Sequence, residues 1–333
     1  MVYNKGIGAH AQGRTYFIAD MSYNHNGSIG LAEKLFRIAI DAGCDAVKIP
    51  FINPESSYSF DFLDLNPALS STLVNLPLDS LPSLIAKFKD KVDIILSPQD
   101  IESFHSIKNM SFSSLSIEPV LITHLPLLRE IASLGKPIFL SIGGCSDQDI
   151  KNALEILQGC DVVLMHCVLC KHVKAEDAHL GFISYLRKYG RLVGFVDYEN
   201  GIALAPIAVV LGAIAIEKRF TKDHFLPGIF HEQSLEPEGL RKIVRDIRKA
   251  ERAHDSQNAR NILNNELEIV FEHTRSLVSN RRIEQDEIIN EDDISFKAPA
   301  RGLLPEMAGK VIGKRAMECI ERDEHITFSK VRF

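Results

Sequence analysis

A chain of 333 residues carries 45% hydrophobic and 25% charged residues, with a formal net charge of −6 and a pI near 6.1. This is an ordinary soluble globular composition, long enough for one large domain and a smaller one, and it gives no electrostatic case for nucleic acid or an anionic membrane surface. No apolar run approaches the ~20 residues of a membrane span, residues 1–14 lack the apolar centre of a signal peptide, and six scattered cysteines form no disulfide framework, so the cytoplasm is the expected compartment.

In chain order, residues 15–20 read as a short apolar strand, followed by a helix over 28–42 whose Leu31, Leu35, Ile38 and Ile40 recur at roughly helical spacing. Gly43 ends that helix and 46–49 is the second strand. Further strands are expected at 92–97, 115–118, 137–141, 162–167, 192–197 and 215–220, separated by helical stretches such as 81–89, 125–134, 147–157 and 237–254. Eight short strands interleaved with helices predict a parallel sheet closed as a (β/α)8 TIM barrel of the α/β class. An open doubly wound sheet is the alternative; the strand count and the missing Gly-rich dinucleotide turn weigh against it. The polar, asparagine-rich stretch 255–268 reads as a linker or an extra connecting helix. Beyond Thr274 the texture changes to short strands at 276–278, 294–296 and 314–316, with a turn-and-cap signal over 288–293. The expected division is a barrel over 1–260, a linker over 261–271 and a small domain over 272–333.

Several ordered motifs carry a family resemblance. Ala19-Asp20-Met21-Ser22-Tyr23-Asn24-His25-Asn26-Gly27 lies at the first strand and Gly43-Cys44-Asp45-Ala46-Val47-Lys48 at the second. Leu125-Pro126-Leu127-Leu128, Gly135-Lys136-Pro137, Leu140-Ser141, His166-Cys167, Leu226-Pro227-Gly228 and Ser234-Leu235-Glu236-Pro237 follow in order, then Arg275-Ser276-Leu277, Glu291-Asp292-Asp293 and Ile312-Gly313-Lys314. Over residues 15–333 the chain resembles the sialic acid synthase family. The resemblance implies a barrel followed by an antifreeze-like (β-clip) domain, paired as a domain-swapped homodimer. It also implies sugar-acid biosynthesis, in which a transferase condenses phosphoenolpyruvate with an N-acyl hexosamine and a divalent cation polarises the aldehyde.

Measured against that resemblance, the chain departs at its chemistry. Tyr198 and Arg219 stand where the family carries two metal-binding histidines, and Arg has no lone pair to offer. The fourth strand reads Ser116-Ile117-Glu118-Pro119 where the family has a phosphate-binding lysine and serine, and Ile142 replaces a threonine. Asp20 stands for a glutamate, a shift of roughly 1 Å that can cost on the order of 100-fold in a positioned reaction. The catalytic candidates are therefore Asp20, Glu217 and Arg219, with a Glu217–Arg219 pair expected on one barrel face. Candidates for substrate binding are Lys48, Ser97, Ser141, His166, Lys171, Tyr198, His231 and Arg301. No metal site and no cofactor are expected. The compact run His166-Cys167-x-x-Cys170-x-His172 has donors that suit zinc, but it belongs to an inherited strand pattern and lacks a second Cys pair. Expected ligands are a sugar or sugar acid and phosphoenolpyruvate. Ordinary synthase activity, a silent sugar-binding or partner subunit, and a barrel repurposed for another small anion, using Arg219, Lys48 and Lys171, remain open. An open basic mouth would favour an enzyme or binder, and a mouth plugged by Phe230, Tyr198 and Ile142 a silent relative.

Overall fold

The computed structural model describes residues 14–67, 69, 73–170, 173–254 and 262–333. The chain forms two compact units, Met1–Asp255 and Ser256–Phe333.

In the first unit, β1 (Tyr16–Asp20), β2 (Ala46–Phe51), β3 (Asp93–Pro98), β4 (Ser114–Ile117), β5 (Ile138–Ile142), β6 (Val162–His166), β7 (Leu192–Asp197) and β8 (Ala215–Arg219) form a closed barrel in sequence order. Every pairing is parallel, and β8 returns to β1 with Ile18 opposite Glu217 and Asp20 opposite Arg219. Closure excludes the open sheet. Strand side chains alternate between two cores. Tyr16, Ile18, Ala46, Ile95, Phe139, Val163, Met165, Val196 and Ala215 fill the barrel, and Tyr16 stacks on Phe139 with ring centroids 5.8 Å apart. Their strand neighbours join the outer core beneath the helices.

A helix follows each strand: α1 (Ile29–Asp41), α2 (Leu81–Phe88), α3 (Ile101–Ile107), α4 (Leu125–Ala132), α5 (Asp147–Ile156), α6 (Phe182–Leu186), α7 (Leu204–Val210) and α8 (Pro237–Ala253). Polar caps start several of them. Ser28 accepts from the Leu31 amide on α1, Asp100 from Ser103 on α3, and Ser146 and Asp149 form a capping box on α5. The buried stripe of α1 is Ala32, Leu35, Phe36 and Ala39. Of the four residues expected there, only Leu35 is fully buried; Leu31, Ile38 and Ile40 are partly buried. The stripe is turned because Phe36 stacks on Phe88 of α2 at 4.6 Å. Arg248 ties α8 to the barrel, donating to the Thr15 carbonyl at 2.7 Å and pairing with Asp45 at 2.8 Å.

The second unit contains α9 (Asn264–His273), which begins inside the stretch expected as linker. Strands β9 (Ser276–Ser279) and β10 (Ile294–Lys297) pair antiparallel, as do β11 (Arg315–Ala316) and β12 (Val331–Arg332). They enclose a core that includes Leu277, Ile283, Ile289, Val311, Ile320 and Ile326. The turn-and-cap signal is a reciprocal Asn290–Asp293 box on a short 3₁₀ turn. Among the described residues, no helix is long and apolar enough to cross a membrane.

Candidate functional site

Strand alternation carries a polar layer to the carboxyl ends of the barrel strands. Asp20 follows Ile18, Lys48 follows Ala46, and Ser97 follows Ile95 on the same inward faces. By the same rule Glu118 follows Ser116, Tyr198 follows Val196, and Glu217 and Arg219 follow Ala215. In TIM barrels this end carries the reacting groups.

Lys48 is the hub. Its side chain is 1% exposed, and its Nζ lies 2.5 Å from Glu217 Oε1, 2.6 Å from Glu118 Oε1 and 3.8 Å from Asp20 Oδ2. Burial alone would release its proton; Asp20, Glu118 and Glu217 together hold its pKa well above the usual lysine value. It therefore remains an ammonium, neither a nucleophilic amine nor a solvated cation. Burial also pushes at Glu118, but Lys48 overrides it and keeps this carboxylate ionised, with Ser97 donating at 3.4 Å. Glu217 is fully enclosed, and burial lifts its pKa to about 7 against the pull of Lys48, with Asp20 and Glu118 adding to the rise.

Arg219 completes the layer. Its Nε lies 3.7 Å from Asp20 Oδ2, and its guanidinium rests against the rings of Tyr198 and Phe230, 4.2 and 5.0 Å from their centroids. The expected Glu217–Arg219 pair is thus corrected: Glu217 pairs with Lys48 and Arg219 with Asp20. Register is the reason, since Arg219 lies level with Asp20 while Glu217 lies one layer deeper, beside Ile18. Asp20 also accepts from the Ser22 amide at 2.9 Å, shaping the turn after β1.

Above this layer opens a cavity of about 180 Å3, lined among others by Asp20, Glu118, Tyr198, Arg219, Tyr58 and Phe230. The mouth is neither basic nor plugged as expected. Ile142 belongs to the outer core and faces the helices, and Lys48 is already neutralised.

The remaining described candidates lie apart from the cavity lining. Ser141 is buried on the inward face of β5. His166 alternates outward, where its Nε2 meets the Ala178 carbonyl at 2.8 Å and its ring packs on Phe182 and Phe195. Cys167 belongs to the inner cluster, so the two side chains leave the strand on opposite faces. His231 is buried between Thr221 and Asn26, at 2.6 and 3.3 Å, bracing the loop after β8. Lys171 and His172 lie outside the described residues. Arg301 is exposed in the second unit and lines a separate cavity there with Met307 and Phe328. Glu118 and the cavity rings Tyr23 and Tyr58 were absent from the candidate set. Spacing signals Glu118, two residues after Ser116 on one face, whereas nothing local signals the tyrosines.

The NeuB family model matches residues 35–259. The chain belongs to the NeuB family. It is 30% identical to the N,N'-diacetyllegionaminic acid synthase of Campylobacter jejuni over 94% of this chain and 99% of that protein. Among solved structures, the spore coat polysaccharide biosynthesis protein SpsE of Bacillus subtilis aligns with a TM-score of 0.66 and 27% identity, covering 96% of each chain. The N-acetylneuraminic acid synthetase of Leptospira borgpetersenii, solved in complex with citrate, aligns with a TM-score of 0.69 and 27% identity over 77% of this chain and 90% of that one.

Proposed function

We propose that this chain serves sugar-acid biosynthesis as a NeuB-family protein whose barrel mouth binds a small hydroxylated ligand without a divalent cation. On this reading, metal-dependent condensation of phosphoenolpyruvate is lost. The observation that carries it is Arg219, seated between Tyr198 and Phe230 at the position the resemblance gives to a metal ligand. A guanidinium has no lone pair and stays charged, and the burial-raised pKa of Tyr198 keeps its phenol protonated. These groups do not fit a divalent cation. Lys48, the surviving anion binder of the family pattern, is engaged by two carboxylates, so a phosphate would have to displace them.

Asp20, Tyr198 and Arg219 are the residues placed to touch a ligand, with Lys48 and Glu217 organising them from below. The protein is cytoplasmic on this reading, its second unit is antifreeze-like, and the working form is a homodimer.

Phosphate release from phosphoenolpyruvate with N-acetylmannosamine or a 2,4-diacetamido sugar tests the reading, with and without manganese. The expected result is no manganese-stimulated turnover, because groups that act as a unit fail together. Rapid manganese-dependent release, or stoichiometric metal bound at Tyr198 and Arg219, would overturn it. If slow metal-free turnover is found, Arg219→Ala abolishes it.

A further inference from the structure

The Arg219 guanidinium is held on two sides and open on a third. Tyr198 and Phe230 flank it, Asp20 comes closest at its Nε, 3.7 Å away, and no acceptor among the described residues hydrogen-bonds its terminal nitrogens. The Asp20 contact is loose: Oδ2 is 3.7 Å from Arg219 and 3.8 Å from Lys48, while Oδ1 accepts from Ser22. A planar fork with a free edge in a cavity matches a carboxylate through two parallel hydrogen bonds.

The surroundings limit what else that carboxylate can carry. Lys48 supplies no second free cation, because Glu118 and Glu217 hold it at 2.6 and 2.5 Å. Glu118 and Asp20 both line the cavity, so the far end of a ligand meets acceptors that favour hydroxyl donors and repel a second anion. The cavity of about 180 Å3 lies below the range that takes drug-sized ligands, so its occupant is a small molecule.

We infer that this cavity binds a small hydroxy monocarboxylate, with Arg219 taking the carboxylate, Asp20 and Glu118 accepting hydrogen bonds from hydroxyls, and Glu118 excluding doubly charged ligands. The inference rests on reading the barrel mouth as a ligand site and adds the charge and size of what enters it. Glu118 acts as a built-in counter-ion, holding the place at Lys48 that a second anionic group of a ligand would need.

Titration calorimetry of the full chain with D-glycerate, glycerol, malonate and inorganic phosphate tests it. D-glycerate binds saturably, and the other three bind at least about tenfold more weakly, the scale set by a charge-assisted hydrogen bond. Arg219→Met weakens D-glycerate about tenfold or more, and Arg219→Lys, which keeps the charge but loses the fork, also weakens it. Glu118→Gln raises malonate and phosphate affinity about tenfold, a gain that misfolding cannot produce. Equal affinity for glycerol and D-glycerate, unchanged D-glycerate binding by Arg219→Met, or wild-type phosphate binding as tight as D-glycerate would each overturn the inference. If D-glycerate fails while a neutral hexose binds, the charge assignment falls and the mouth survives as a ligand site; if neither binds, both fall.

Discussion

Glu217 lies at the floor of a set in which three carboxylates share Lys48 and Arg219, so one negative charge is in excess. The deepest carboxyl is the one that takes a proton: Glu217 is 0% exposed and its Oε2 has no hydrogen-bond partner. Burial raises its pKa from 4.5 to about 7, so between those values the folded chain holds a proton that the unfolded chain has released. Its stabilising contribution is complete below about pH 4.5 and is lost as the pH rises through 7, amounting to on the order of 3 kcal/mol. Glu118, held down by Lys48, works in the opposite sense in the acidic range below its ordinary value. Urea unfolding between pH 5 and 8 should therefore show the wild type losing about 2.5 kcal/mol relative to Glu217→Gln; parallel curves would mean that Glu217 is already ionised at pH 5. At this scale the family resemblance made Asp20, Lys48 and Tyr198 legible, and alternation made legible that Glu217 and Arg219 share a face. Pairing was not legible, because who meets whom depends on the vertical register of strands far apart in sequence.

Strands and helices were read with unequal success for a physical reason. The barrel strands are four to six residues long and almost wholly buried, so each stands out as an apolar run. The helices α3, α6 and α7 have only five to seven residues, too few for a helical period to declare itself, and α7 carries Pro206 in its first turn. Packing between elements is testable at two points. The Phe36–Phe88 stack at 4.6 Å joins α1 to α2, and Phe36→Ala should cost about 3–5 kcal/mol in urea unfolding; a loss below about 1 kcal/mol would mean that the site collapses around the missing ring. Gly194 in β7 has no room for a methyl group, since a Cβ there would lie 2.4 Å from Met165 Sδ and 2.7 Å from the Ala215 carbonyl oxygen. The carbonyl belongs to the barrel backbone and cannot swing away, so Gly194→Ala should lower stability by about 1–3 kcal/mol. An unchanged denaturation midpoint would show that β7 and β8 separate more easily than their parallel pairing implies.

For the whole molecule, the question is what covers the surfaces that one chain leaves apolar. Helix α9 buries none of its residues, and Leu267, Val270 and Phe271, spaced to share one face, are each half or more exposed. The barrel mouth has an apolar edge too, with Val120 and Leu169 lining the cavity while 67% and 46% exposed. Exposed apolar patches of this kind mark interaction sites, and a second copy is the occupant that accords with the homodimer proposed above. Light scattering at micromolar concentration should then give twice the chain mass of 37.2 kDa. Leu267→Glu combined with Phe271→Glu should shift the mass toward the monomer while the barrel keeps its circular dichroism spectrum, because neither side chain is buried in the single chain. A wild-type monomer at that concentration would end the dimer proposal, and a dimer untouched by the double substitution would move the interface off α9. The family resemblance implies an arginine of the small domain reaching the partner's pocket, with Ala298 at the matching position and Arg301 three residues on. Arg301 is exposed in the single chain, so Arg301→Ala should leave dimer mass unchanged. Its effect on ligand affinity then shows whether the pocket receives a charge from the neighbouring copy, with a loss of tenfold or more expected only if the guanidinium reaches the ligand.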